Sequence, residues 1–161
     1  MNLNKTKIMI FSKKMTEKNL FYFYYGPNAV ELVNSYKYLG VMFYFTEKFK
    51  ESVANLSDKA RKAYFALKSK LLYNNNLSAK SWLKVYNSMI APILTYGSEV
   101  WITDFKPNFE VLDSLKKTQN MILKNILGVH GKSSNTAVRC ELGIFPLSIK
   151  SYRLMYGYYT I

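Results

Sequence analysis

An α+β chain is predicted by three observations. Aromatic and β-branched residues fill the first third, apolar residues recur at helical spacing through the rest, and the two patterns do not alternate. The expected layout is a small antiparallel sheet or hairpins over about residues 5–45, followed by a helical bundle over about residues 47–161.

The strands come first. In residues 5–11, Ile8 and Ile10 alternate with Lys7 and Met9, the period of a pleated segment. Residues 20–25 are an aromatic run suited to a sheet surface. Gly26-Pro27-Asn28 is turn chemistry, and residues 30–33 add another short apolar run. Residues 36–45 are again aromatic and β-branched, with Gly40 inside the run. A glycine there points to a bulge or a close backbone approach.

The helices follow. Phe49, Val53, Leu56, Ala60, Ala63, Leu67 and Leu71 keep a helical period, which predicts one amphipathic helix over residues 47–72. Its other face carries Lys50, Lys59, Lys62 and Lys70, and Asn74-Asn75-Asn76 breaks it. Ser78 is the expected N-cap of a second helix bearing Trp82, Val85, Tyr86, Met89 and Ile93, kinked at Pro92. A third helix starts near Pro107, presents Leu112, Leu115, Gln119, Ile122 and Ile126, and stops at Gly128. A short helix over residues 135–142 ends at Gly143, and Pro146 opens a last one. That last helix carries Tyr152, Tyr156, Tyr158 and Tyr159, a surface that expects more protein.

Composition narrows the function classes. The chain has 161 residues, 49% hydrophobic and 20% charged, so it can bury a core without disulfides or metals. Its single cysteine, Cys140, has no intrachain partner, which argues for a reducing intracellular setting and reads as a small buried residue. The N-terminus carries no apolar signal segment, and no apolar run approaches the roughly 20 residues of a membrane helix. No membrane partner is expected. The lysines are dispersed, so nucleus and cytoplasm are not distinguished. A net charge of +13 favours a polyanionic partner. Arg61, Arg139 and Arg153 are the only arginines, and a lysine surplus suits contact with phosphates more than reading of bases. The competing reading is that lysine is only a solubilising residue, and composition alone balances the two.

Catalytic groupings are missing from the sequence. Metal-dependent phosphoryl transfer needs carboxylates that converge on cations, and no two of the ten acids are adjacent. Glu47 with Glu51, and Glu110 with Asp113, share helix faces with lysines and read as solvated surface. There is no Cys-x-x-Cys, His-Glu-x-x-His, Walker loop or Gly-x-Gly-x-x-Gly. His130 beside Gly131 reads as a loop histidine, and Ser133 and Ser134 as capping residues.

Three ordered stretches carry a further signal: Asn4-Lys5-Thr6-Lys7 leading into a strand, Tyr36-Lys37-Tyr38-Leu39-Gly40-Val41, and Tyr96-Gly97-Ser98-Glu99-Val100-Trp101 within Pro92 to Trp101. With Glu141-Leu142-Gly143-x-x-Pro146, their order and spacing resemble the C-terminal half of reverse transcriptases of non-LTR, LINE-like retrotransposons over essentially the whole chain. The resemblance implies that residues 1–46 are the end of the palm with a primer-grip hairpin, and residues 47–161 a helical thumb or connector. It implies that Lys5 sits on the phosphate side of the incoming nucleotide in the complete enzyme, where a lysine supplies positive charge as phosphate charge develops. Tyr38, Leu39 and Gly40 would hold the primer's 3′ end, Gly40 by letting backbones approach closely. Lys50, Lys59, Lys62 and Lys70 would lie along template–primer duplex, held by charge and shape. Tyr96, Val100 and Trp101 would be packing residues, and Gly97 a helix end.

Family polymerases carry a Tyr-x-Asp-Asp strand and a further aspartate before this region, and this sequence carries neither. The resemblance therefore implies a fragment with no catalytic residue of its own and no cofactor, magnesium belonging only to the complete polymerase. Its implied partners are an RNA–DNA hybrid or RNA template–primer and the missing N-terminal polymerase portion. A different class remains open: a non-enzymatic helical interaction module, favoured by the 16% aromatic content, or the product of a decayed element.

Overall fold

The computed structural model describes residues 6–11, 22–45, 49–71, 77–102 and 109–160. The chain is α+β: short strands in two small sheets, then helices. It divides into two compact units, Met1–Ser52 and Val53–Ile161. Among the described residues no helix is long and apolar enough to cross a membrane.

The first sheet has the order β1(Lys7–Ile8)–β3(Asn28–Leu32)–β2(Phe23–Tyr25). β2 and β3 are antiparallel, with Tyr25 opposite Asn28 across the two-residue turn Gly26-Pro27. Gly26 takes φ +59° and the proline ring holds φ near −65°, the sign order of a type II′ turn, which matches strand twist. β1 pairs in parallel with β3, Lys7 opposite Glu31 and Ile8 opposite Leu32, and the Lys7 ammonium bridges the Glu31 carboxylate. The strand is thus two residues long, where alternation over residues 5–11 predicts a longer one. Beyond Ile8 the ladder ends where β3 ends, at Leu32, the last bond being Val33 N–H to the Ile8 carbonyl at 2.8 Å.

The second sheet corrects the reading by pattern. Residues 36–45, one run interrupted at Gly40 by pattern and a hairpin by the resemblance, are two strands, β4(Ser35–Tyr38) and β5(Val41–Tyr44), paired antiparallel with Tyr38 opposite Val41. Leu39 and Gly40 form the turn, at φ 45° and 86°. Positive φ at both central positions is the type I′ requirement. The Ser52 hydroxyl donates to the Met42 carbonyl, and the Phe43 and Phe49 rings meet edge to face at 5.8 Å.

The helical unit has its core on apolar faces at helical spacing. α1(Lys50–Leu71) buries Val53, Leu56, Ala60 and Tyr64. α2(Ala79–Val85) is capped by Ser78, whose hydroxyl accepts from the Ser81 N–H at 3.2 Å, as expected. The kink expected at Pro92 takes the form of a π turn over Tyr86–Ile90, leading into α3(Ala91–Leu94). Proline has no N–H for the Ser88 carbonyl four residues back, and the Ala91 N–H instead reaches Tyr86, five residues back. Gly97 in the left-handed region separates α3 from α4(Ser98–Trp101). α5(Phe109–Leu127) buries Leu112, Leu115, Gln119, Ile122 and Ile126, the stripe read from sequence. α6(Asn135–Leu142) runs from a Ser134 cap to Gly143, and α7(Leu147–Tyr159) follows Pro146.

α5 packs on α2, α6 and α7, and α4 on α7. Tyr64 and Trp82 rings lie 5.8 Å apart between α1 and α2, and the Ser57 and Ser114 hydroxyls meet at 3.3 Å between α1 and α5. Ile90, Leu94, Leu115, Ile122 and Leu123 are almost fully buried, each contributing about 1.5–3 kcal/mol by leaving water.

Candidate nucleic-acid interface

The hairpin places its residues by period two. Tyr36 and Tyr38 share one face with their cross-strand partners Phe43 and Val41, while Lys37 and Met42 share the other. At the tip, Tyr38 is 60% and Leu39 76% exposed, and Gly40 is half-buried. A leucine so exposed, in a backbone region that L-residues rarely adopt, is the least expected residue of the unit. At the hairpin base, Tyr44 has its pKa raised, first by burial and then by the charge and hydrogen bond of Glu51. Lys5, the expected phosphate-side lysine, lies outside the described residues.

The four lysines of α1 are all exposed, but they do not share one row. At about 100° per residue, Lys59 and Lys70 stand about 20° apart and about 16 Å along the axis. Lys62 lies about 60° from Lys59, whereas Lys50 falls about 180° from it, at the opposite edge of the solvent arc. Lys59, Lys62 and Lys70 therefore form one flank, separate from Lys50. Arg61 is engaged by Asp58 at 2.6 Å.

Sequence reasoning overlooked other cations. Lys80 and Lys84 are exposed four residues apart on α2. Lys117 and Lys124, seven apart on α5, line a cleft of about 330 Å³ with Asn120 and Asn135, where the Lys124 ammonium donates to the Gly131 carbonyl at 2.6 Å. Lys150 and Arg153 stand on α7. The i+3, i+4 and i+7 spacings are the signal these cations leave in the sequence.

Three expectations about packing are corrected. Cys140 is exposed, because α6 turns Val138 inward and Cys140 lies about 200° around the helix from it. Tyr96 (49% exposed) and Val100 face solvent, while Trp101 alone of the three is buried, its indole N–H donating to the Tyr96 carbonyl at 2.9 Å. Gly97 is a helix end as expected. His130 lies in a loop, its Nδ1 accepting from the Lys132 N–H at 3.2 Å.

Among the described residues no three His, Cys, Asp or Glu side chains come together in a group that could hold a metal ion. What the described side chains offer is an aromatic and apolar hairpin tip, and helices whose solvent faces carry lysines. No family model, curated protein or solved structure matches this chain.

Proposed function

We propose that this chain is the C-terminal portion of a non-LTR retrotransposon reverse transcriptase. Its role is to grip template–primer nucleic acid, with the β4–β5 hairpin at the primer end and the lysine flank of α1 along the duplex backbone. The observation that carries the reading is the hairpin. The Tyr-x-Tyr-Leu-Gly-Val segment folds into a tight two-residue turn that presents Tyr38 and Leu39 to solvent. The +13 charge and the exposed Lys59, Lys62 and Lys70 support the second half. The sequence has no Tyr-x-Asp-Asp, so the reading assigns it grip and no polymerase chemistry.

The test is a salt titration of RNA–DNA hybrid binding. Each phosphate neutralised contributes about −0.9 to the slope of log affinity against log salt, so a slope near zero would falsify the reading.

A second reading, a helical protein-interaction module, draws on the exposed Tyr22, Tyr24 and Tyr25 of one unit and Tyr156, Tyr158 and Tyr159 of the other. Light scattering on a sized column separates the two. A monodisperse monomer that binds hybrid and no protein removes the second.

A further inference from the structure

The helical unit contains a cleft that the grip does not use. It has a volume of about 270 Å³ and lies among the π turn, α5 and residues 143–153. We propose that it binds a single unstacked nucleotide, the base against Phe145 and the phosphate between Lys150 and Arg153.

Size sets the first limit. Such a volume is at the small end for ligand pockets and admits one ring system, not a duplex. The floor is built from Tyr86 and Gln119, both almost fully buried. The Gln119 amide is fixed at both ends, its nitrogen donating to the Phe145 carbonyl and its oxygen accepting from the Leu147 N–H, each at 3.0 Å. Those two bonds clamp the backbone on either side of Pro146, and Phe145 is nonetheless 75% exposed. A rigid backbone presenting an open phenyl ring is what base stacking uses.

The polar groups point to the rest of the ligand. Lys150 and Arg153, both exposed, are neighbours three residues apart on α7, where like charges repel unless an anion lies between them. No carboxylate among the described residues lines the cleft. Arginine offers planar bidentate contact to a phosphate and lysine a point charge. Asn87 brings an amide that both donates and accepts, the pairing a base edge needs. It reaches the cleft from the π turn, a local widening that is rare in helices and concentrates at functional sites.

This inference does not rest on the polymerase reading, since it concerns unpaired nucleotides and a different set of residues. The same chemistry fits a free mononucleotide or one nucleotide of a strand. The full chain, and its Phe145→Ala and Arg153→Gln variants, would be titrated calorimetrically with AMP, with a short unpaired RNA and with a blunt RNA–DNA hybrid. Both side chains are exposed, so folding is expected to survive, and circular dichroism checks it. Wild type should bind AMP or the short RNA, and each variant should bind about tenfold more weakly, as expected when one stacked base or one bound phosphate is given up. Arg61→Gln, outside both the cleft and the lysine flank and already paired with Asp58, should leave that affinity unchanged. AMP binding identifies a free nucleotide as sufficient, and RNA binding without AMP identifies a strand. Absence of binding to both, variants that bind as wild type, or an equal loss in Arg61→Gln overturns the proposal. Hybrid affinity bears only on the grip.

Discussion

Leu39 holds a left-handed backbone conformation that costs an ordinary L-residue about 1–2 kcal/mol, because its Cβ crowds the following carbonyl. Asparagine tolerates that region better, so Leu39→Asn should raise stability by about 0.5–1 kcal/mol in denaturant melts. If Leu39 is kept for contact with the primer end, the same variant should weaken hybrid binding. Stability and binding moving in opposite directions would mark the turn as a strained functional feature. Gln119 shows the reverse arrangement, a polar side chain 1% exposed with both ends bonded. Gln119→Leu leaves the Phe145 carbonyl and the Leu147 N–H without partners and should cost about 2–4 kcal/mol by the same melts.

Tyr86 allows a test by pH. Its hydroxyl is buried without a partner at hydrogen-bonding geometry among the described residues, and burial pushes its pKa from 10.0 up to about 12, against a smaller opposing influence of Gln119. The unfolded chain gives up this proton near pH 10 and the folded chain only near pH 12. The contribution is therefore complete below pH 10 and lost as pH rises through 12. Tyr86→Phe should be neutral or slightly stabilising at neutral pH and should flatten the alkaline fall in stability.

At the scale of elements, legibility followed the amount of repetition. The residues 109–127 helix was readable because Leu112, Leu115, Ile122 and Ile126 repeat one period across about four turns, and the residues 135–142 helix because serine and glycine bracket it. Pro92 marked the right place for a distortion, but nothing in a proline says whether the helix bends or widens into a π turn. The strands were read less well. A strand's length depends on its partner, and the parallel partner of Lys7–Ile8 is more than twenty residues away. By pattern alone the Leu39-Gly40 segment reads as one interrupted strand, because leucine is not a turn residue, and a hairpin there was expected only from the resemblance. The lysine flank was legible as charge, and the separation of Lys50 from it follows from spacing alone, since the step from Lys50 to Lys59 turns the helix by about 180°. Lys59→Gln, Lys62→Gln and Lys70→Gln together should reduce the salt dependence of hybrid binding, by about one unit of slope for each phosphate no longer neutralised, and Lys50→Gln alone should change it less.

Across the whole molecule, a charge of +13 sets the long-range attraction, and the two units divide the work that the proposal assigns. Charge alone makes any basic protein bind nucleic acid, so affinity is a weak witness to a primer grip. Position is a strong one. The most direct measurement is photocrosslinking of the chain to an RNA–DNA hybrid whose DNA primer carries a photoreactive thymidine at its 3′ end, with the crosslinked peptide mapped by mass spectrometry. The primer-grip account predicts adducts concentrated at Tyr38 and Leu39 and abolished when the photoreactive base is moved well inside the duplex. Adducts scattered over the lysine faces, or unchanged by the position of the base, would contradict it.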